Sequence, residues 1–179
     1  HLHKDHYENI FCVSSGEKVF TVCPPSDALF LKESTFPSGI FHKRHKVGDI
    51  QNKNGDRSTK GWLVERQLDE KGSDEMVRWM ETDVEQILTT DKSSREEYLE
   101  RYPLLAHAHP MRIHVKAGDM LYLPSLWYHR VTQTTETVAV NYWYDMKFDS
   151  PHWCYFNFLQ HLNDDVIEDD AEGGEDQRL

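Results

Sequence analysis

The sequence predicts a mainly β fold with some α, an antiparallel sandwich or barrel of the jelly-roll kind. Two observations favour it. Strand-prone segments form two blocks, over residues 5 to 23 and 111 to 145, and a long segment of different character separates them. Strands that pair across such an insertion are typical of antiparallel sandwiches and barrels, whereas a parallel sheet would alternate single strands with helices.

The first block contains two predicted strands, residues 5 to 13 and 17 to 23, on either side of the sequence SSG. This arrangement is a hairpin signal, and the pair Pro24-Pro25 ends the second strand. The second block contains four predicted strands that are separated by KAGD, by Pro124 and by TTE; their sequences are RIHV, MLYL, YHRVTQ and TVAVNYWYD.

Between the blocks the pattern changes from period two to helical spacing. Residues 73 to 88 predict a helix because apolar side chains recur three and four residues apart, at Met76, Val77, Met80, Val84, Ile87 and Leu88. Residues 94 to 102 predict a second, short helix, and residues 33 to 72 predict a loop with one strand. The aromatic segment 153 to 162 predicts a C-terminal helix that packs on its own sheet or pairs with a second copy as a homodimer.

Composition limits the partners. The formal net charge is −11, but residues 164 to 178 carry eight acids against one arginine, so residues 163 to 179 are predicted to be an acidic disordered tail. The mildly acidic body disfavours nucleic acid and allows a basic protein partner. Three cysteines without a CxxC pair favour a reducing compartment, cytoplasm or nucleus, and the absence of a long apolar run predicts no membrane span.

Polar side chains fall on one predicted strand face near the start of the chain. In an extended chain His3, Asp5, Tyr7 and Asn9 point the same way. A His-x-Asp pair is weak evidence alone, but His129 at the start of a later strand could complete a triad of two histidines and one carboxylate, which suits non-haem Fe(II). The alternative for His129 is an ordinary histidine at a strand end.

Lys18 shares its predicted face with Phe20 and Val22. An ammonium group on an apolar face needs an anion to compensate for lost hydration. Either a structural carboxylate or the carboxylate of a small bound ligand could supply it.

These residues together resemble a known family. The chain resembles the JmjC family of Fe(II)- and 2-oxoglutarate-dependent oxygenases in three separate elements. These are HKD at 3 to 5, Lys18 fifteen positions after His3, and GDMLYLPSLWYHRV at 118 to 131. AVNYWYD at 139 to 145 resembles in particular a small lysyl hydroxylase of that family. The resemblance covers residues 1 to 162 and implies a cupin-like double-stranded β-helix with a helical insertion and a C-terminal helix.

The resemblance also implies roles for matching positions. His3, Asp5 and His129 would ligate Fe(II), Lys18 would pair with the distal carboxylate of 2-oxoglutarate, and Asn9 and Asn141 would lie near co-substrate and metal. O2 would be the second co-substrate. The implied reaction is hydroxylation of a protein lysine, with a translation-factor-class GTPase as the kind of substrate, and Tyr7 would be a pocket wall.

One departure and three alternatives follow. JmjC domains have strands and helices before the His-x-Asp pair, so residues 1 to 162 are expected to lack the N-terminal part of the domain. The alternatives are a metal-dependent peptidase on the same fold acting on histone tails, a lysine demethylase, and an inactive binding module. Lys18 separates the first alternative from an oxygenase, because a hydrolase has no use for an inward lysine at that position.

Overall fold

The computed structural model describes residues 1 to 43 and 62 to 172. Its elements, in chain order, are the strands β1 (Tyr7–Ser15), β2 (Glu17–Cys23), β3 (Glu33–Pro37), β4 (Gly39–Lys43), β5 (Trp62–Arg66) and β6 (Met76–Met80), the helix α1 (Lys92–Arg101), the strands β7 (Met111–Lys116), β8 (Met120–Leu123), β9 (Tyr128–Gln133) and β10 (Val138–Asp145), and the helix α2 (Pro151–Glu172). Short 3-10 turns precede and follow α1. The chain divides into two compact units, the second of which comprises Ser34–Trp79.

The first unit contains two three-stranded antiparallel sheets. One has the order β10-β1-β8 and the other the order β7-β2-β9. Sequence neighbours therefore alternate between the sheets, as in a jelly-roll, so the predicted fold class is confirmed. Both predicted blocks of strands are present, and every sheet of this unit combines strands from both blocks.

The predicted hairpin between the first two strands is wrong. β1 pairs with β10 and β8, whereas β2 pairs with β7 and β9, so the chain changes sheet between them. Gly16 makes this change with a φ of +78°, and a Cβ atom there would lie 2.3 Å from the carbonyl oxygen of Glu136. Only glycine avoids both the strained backbone and the clash.

The space between the two sheets is filled by alternate residues of each strand. Phe11 of β1 and Phe20 of β2 meet edge to face, with ring centroids 4.9 Å apart. A second cluster includes Leu126, Tyr128 and Phe156 of α2. Buried aromatic side chains contribute strongly to stability. This core therefore fixes the segment before β1 and the start of β9, which carry the candidate site.

The segment between the blocks is less helical than predicted. α1 confirms the predicted short helix, but the predicted helix over residues 73 to 88 is wrong: β6 occupies Met76–Met80 and a 3-10 turn occupies Val84–Gln86. In the second unit β3 pairs with β6 and β4 pairs with β5 as two-stranded ribbons. The predicted loop over 33 to 72 thus contains three strands, and its residues 44 to 61 lie outside the described part of the chain.

The predicted C-terminal helix is present and packs on its own unit. Phe156 and Leu159 of α2 are buried in the core, while Tyr155 and Phe158 are exposed. The homodimer through this helix stays a prediction. The helical backbone continues to Glu172, past the predicted start of the tail at residue 163, and residues 173 to 179 lie outside the described part. Among the described helices, none has the length and apolar character that a membrane crossing requires.

Candidate metal and co-substrate site

The segment that carries His3 and Asp5 lies beside the start of β9. His3 and His129 exchange two backbone hydrogen bonds, with N to O distances of 3.0 and 2.7 Å, in an isolated antiparallel bridge. Two residues further on, the carbonyl oxygen of Asp5 accepts a hydrogen bond of 2.9 Å from the backbone N–H of Leu126. These bonds bring two segments that are more than a hundred residues apart in sequence into contact at one end of the sandwich.

The turn before His129 is held in an uncommon conformation. Leu126 is fully buried and has a φ of +66°, which is rare for a residue with a side chain. The Glu8 carboxylate fixes this turn, because it accepts hydrogen bonds from Ser125 Oγ at 2.9 Å, from the Ser125 N–H at 3.2 Å and from the Tyr122 hydroxyl. Burial alone would raise the pKa of Glu8, but these hydrogen bonds lower it below its ordinary value.

His3, Asp5 and His129 converge. One ligand atom of each lies within 4.8 Å of the others, the Nε2 atom of His129 is 3.6 Å from Asp5 Oδ2, and the two imidazole centroids are 4.2 Å apart. Among the described residues this is the group of histidine, cysteine and carboxylate side chains that is spaced to share one ion. The structure therefore brings together the three residues that the sequence predicted as metal ligands.

The hydrogen bonds of the two imidazoles suit metal binding. His129 Nδ1 lies 3.0 Å from the Trp127 carbonyl oxygen, and His3 Nδ1 lies 3.2 Å from the His1 carbonyl oxygen. A carbonyl only accepts, so each Nδ1 is the donor and each neutral ring presents an Nε2 lone pair. Orientation of a ligating histidine by a bond from its other nitrogen is the usual arrangement in metal sites.

The protonation states of the two histidines also suit metal binding. Burial lowers the pKa of both imidazoles below the ordinary 6.5, and the Asp5 carboxylate only partly opposes this effect. At neutral pH the His129 lone pair and the Asp5 carboxylate are then two acceptors facing each other, an arrangement that a cation between them would stabilise. Two neutral imidazoles and a carboxylate are the donor set that suits Fe(II) with open positions, so the residues fit that ion.

The lowered pKa values predict how the metal-free protein responds to acid. Below pH 6.5 the unfolded histidines bind protons before His3 and His129 do in the folded state, so the free energy of unfolding should fall as pH decreases from about 6.5 through the lowered values. Thermal unfolding from about pH 7.5 to about pH 5.5 measures this. In a His129→Gln variant the slope should be smaller, and an unchanged slope would contradict the assignment.

The same inner surface continues from the metal end towards Lys18. Lys18 lies on the inner face of β2 with Phe20 and Val22, and Val22 is paired with His129. From Val22 to Lys18 the strand spans about 13 Å. The Lys18 ammonium lies over the Phe11 ring, 5.9 Å from its centroid, so it projects into the space between the sheets.

Lys18 has no carboxylate partner within the described part of the chain. The ion pairs of the described residues do not include it. Of the two partners that the sequence left open, a structural carboxylate is therefore not found among those residues. An anion bound between the sheets would compensate the half-buried charge.

Asn9 and Asn141 lie on β1 and β10, two paired strands of the sheet that faces Lys18. Asn9 is only 2% exposed, and its Oδ1 atom has no hydrogen-bond partner among the described groups. An unsatisfied buried amide oxygen costs about 1–3 kcal/mol, so its position indicates a site where a ligand or water donates to it. Asn141 is opposite Phe11 in the register and shares the inner face, but it is exposed because β10 is the edge strand of its sheet.

One aromatic residue differs from expectation, and two structural features near the site were not predicted from the sequence. Tyr7 is 44% exposed and stacks on Trp143, which is itself exposed, so Tyr7 is not an enclosed pocket wall. The turn conformation at Leu126 and the Glu8 bonds to Ser125 have no local sequence signal, since the segment PSLW contains no glycine. Both nonetheless determine where Asp5 and His129 meet.

Known proteins are similar to this chain over most of its length. A family model described as a cupin-like domain matches residues 1 to 150. The chain is 39% identical over 166 residues to the JmjC domain-containing protein E of Dictyostelium discoideum, 36% identical over 161 residues to the human bifunctional peptidase and (3S)-lysyl hydroxylase JMJD7, and 38% identical over 167 residues to the lysine-specific demethylase JMJ32 of Arabidopsis thaliana.

These alignments cover 89% or 90% of this chain and 42% of each relative, so the chain spans about two fifths of the length of the curated relatives it matches. The matching model covers most of the chain and includes all six candidate site residues, from His3 to Asn141. The chain is similar to several JmjC proteins, and the matching family model shows that it belongs to the cupin-like domain family.

Proposed function

We propose that this chain is the catalytic part of an Fe(II)- and 2-oxoglutarate-dependent protein hydroxylase. The observation that carries the proposal is the position of two histidines, one carboxylate and one lysine on a continuous inner surface. His3, Asp5 and His129 would hold Fe(II) and leave positions open for 2-oxoglutarate and O2. When bound, this ion and co-substrate supply oxidative decarboxylation coupled to hydroxylation of a C–H bond.

The protein's own groups bind and orient the co-substrate. Lys18 would pair with its distal carboxylate, and the Phe11 ring beneath the ammonium would exclude water from that pair. The Asn9 amide N–H would donate a hydrogen bond to the co-substrate near the metal, and a water molecule in the site would donate one to its buried oxygen. Asn141, which is exposed on the edge strand β10, would lie near the co-substrate on the same inner face. Burial keeps both imidazoles neutral, as metal ligation requires.

We further propose a protein lysine as the target, most specifically for (3S)-lysyl hydroxylation of a translation-factor-class GTPase. The support is similarity: one relative is described as a (3S)-lysyl hydroxylase and another as a lysine-specific demethylase, and both names specify lysine. Demethylation is the second candidate. A cytoplasmic or nuclear location is part of this proposal, and the three unpaired cysteines fit such a reducing compartment.

A peptidase is the alternative from another reaction class, since one relative is described as both peptidase and hydroxylase. It would use the same three ligands with Zn²⁺ or Mn²⁺ and would not consume 2-oxoglutarate. The inward Lys18 favours the oxygenase, because hydrolysis needs no co-substrate carboxylate at that position.

Incubation with Fe(II), 2-oxoglutarate and air tests the proposal. We expect succinate release that rises with a lysine-bearing protein, together with a mass increase of one oxygen atom on a lysine of that protein. Loss of a methyl group from methyl-lysine would indicate a demethylase instead. Cleavage of the added protein without consumption of 2-oxoglutarate would overturn the hydroxylase in favour of the peptidase, and metal binding without either reaction would favour a binding module.

A further inference from the structure

Lys4, between the candidate ligands His3 and Asp5, faces away from them into the core. Its ammonium lies 2.5 Å from Glu33 Oε1, and the side chains are 17% and 8% exposed, respectively. The same ammonium lies 5.3 Å from the Tyr128 ring centroid and 5.7 Å from that of Phe156. We propose that Lys4 is a positioning residue that fixes the metal ligands through its ion pair with Glu33; the inference rests on the proposed metal site.

Alternation along two adjoining segments places this ion pair directly behind the ligands. His3 and Asp5 point to one side of their segment and Lys4 to the other. In the adjoining strand, His129 faces the ligands while Tyr128, which precedes it, is fully buried on the opposite side. The contact of Lys4 with Tyr128 therefore lies behind the contact of His3 with His129. A shift of Lys4 would move the residues on either side of it, His3 and Asp5.

The backbone alone holds this segment weakly. Residues 1 to 6 form no regular strand. The described backbone hydrogen bonds that hold them are the bridge at His3, the Leu126 bond to the Asp5 carbonyl and the Met146 bond to the His6 carbonyl. A lysine side chain has four rotatable bonds, so without a fixed end it would not restrain the chain. The Glu33 carboxylate and two aromatic faces fix that end, which restrains the segment between the two residues that carry the ligands.

A buried ion pair is a costly way to gain stability, because two charges lose hydration. Apolar side chains of similar size fill such a place at no loss of stability in many proteins. The ion pair and the two aromatic contacts of Lys4 are directional, so they favour one position of the backbone over slightly shifted ones. The structure thus assigns the pair to the geometry of the site, and this role can be separated from a purely stabilising one.

The test compares Mn(II) binding and thermal unfolding in the full chain. The double variant Lys4→Met with Glu33→Leu keeps the core filled, so its melting temperature should equal or exceed that of the wild type. Its Mn(II) affinity, measured by titration calorimetry, should fall about 10-fold to 100-fold, the range found when groups that orient metal ligands are lost. The visible absorption spectrum of the Co(II) form should also change. The single variant Lys4→Arg, which keeps the positive charge, should retain the Mn(II) affinity and the Co(II) spectrum of the wild type.

The matched control is Lys32→Met. Lys32 also pairs with a glutamate, Glu81, at 3.4 Å, and lies 6.0 Å from the Tyr102 ring centroid, but it does not flank a ligand. This variant should keep wild-type Mn(II) affinity. If the double variant does not fold, Glu33→Gln serves in its place, with the same expected loss.

Each outcome has one meaning. Wild-type Mn(II) affinity and an unchanged Co(II) spectrum in a folded variant would overturn the positioning role while leaving the proposed function intact. Equal losses in the Lys32 control would also overturn it, since the effect would then be general destabilisation. A wild-type chain that binds no Mn(II) would overturn the proposed metal site itself, and the positioning role with it.

Discussion

Replacement of Asp5 by alanine should abolish Fe(II)-dependent turnover and lower Mn(II) affinity by more than about 100-fold. Asp5 supplies the negative charge among the three candidate ligands, and its removal leaves two neutral imidazoles to hold a divalent cation. The backbone carbonyl of Asp5, which accepts from Leu126, remains in the variant. The metal-free protein should therefore keep its fold, and titration calorimetry with Mn(II) measures the loss.

The control is Asp149→Ala, which removes the same charge from an exposed turn before α2. It should bind Mn(II) like the wild type. Because long-range effects of one surface charge are small at physiological ionic strength, a shared loss in both variants is not expected. An Asp5→Ala protein that binds Mn(II) and turns over normally would rule out the carboxylate as a ligand.

Replacement of Lys18 by alanine should weaken 2-oxoglutarate binding by about 10-fold to 100-fold while leaving Mn(II) affinity unchanged. A hydrogen bond to a charged group contributes about 1.5–3 kcal/mol, and 1.4 kcal/mol corresponds to a factor of ten. Lys18 lies four residues along β2 from Val22, the residue paired with His129. In the proposed function it would therefore contact the far end of the co-substrate and not the metal. Calorimetric titration of 2-oxoglutarate into the Mn(II)-loaded protein measures the change.

A second variant separates binding from stability. Lys18→Met should also bind 2-oxoglutarate weakly, yet it should be at least as stable as the wild type, because a half-buried ammonium without a described carboxylate partner is replaced by an apolar chain of similar length. Lys116→Met, on the exposed surface of β7, is the control and should change neither property. Unchanged co-substrate affinity in both Lys18 variants would favour the peptidase alternative.

Much of the site could be predicted from sequence because it depends on period-two alternation. His3, Asp5 and Asn9, and likewise Lys18 with Phe20, share a face in any extended chain. The choice of His129 as the third ligand and the role of Lys18 came from the resemblance to the JmjC family. What brings His3 to His129 is a bridge between distant segments, and no local pattern specifies it.

The errors have local causes. SSG between two apolar runs indicates a reversal of the chain, but it does not specify whether the next strand joins the same sheet, and here it joins the other. Met76, Met80 and Val84 recur at helical spacing, yet a strand followed by a 3-10 turn buries Met80 and Val84 equally well. The Lys4 contact with Glu33 and the strained turn at Leu126 depend on packing, which single-residue preferences do not contain.

The most direct test of the central claim is a titration of 2-oxoglutarate into the wild-type chain, without oxygen, before and after loading with Mn(II). If His3, Asp5 and His129 hold the metal and Lys18 holds the far carboxylate, the loaded protein should bind one 2-oxoglutarate and the metal-free protein should bind it far more weakly. Equal binding with and without Mn(II), or no binding by a folded and loaded chain, would contradict the account.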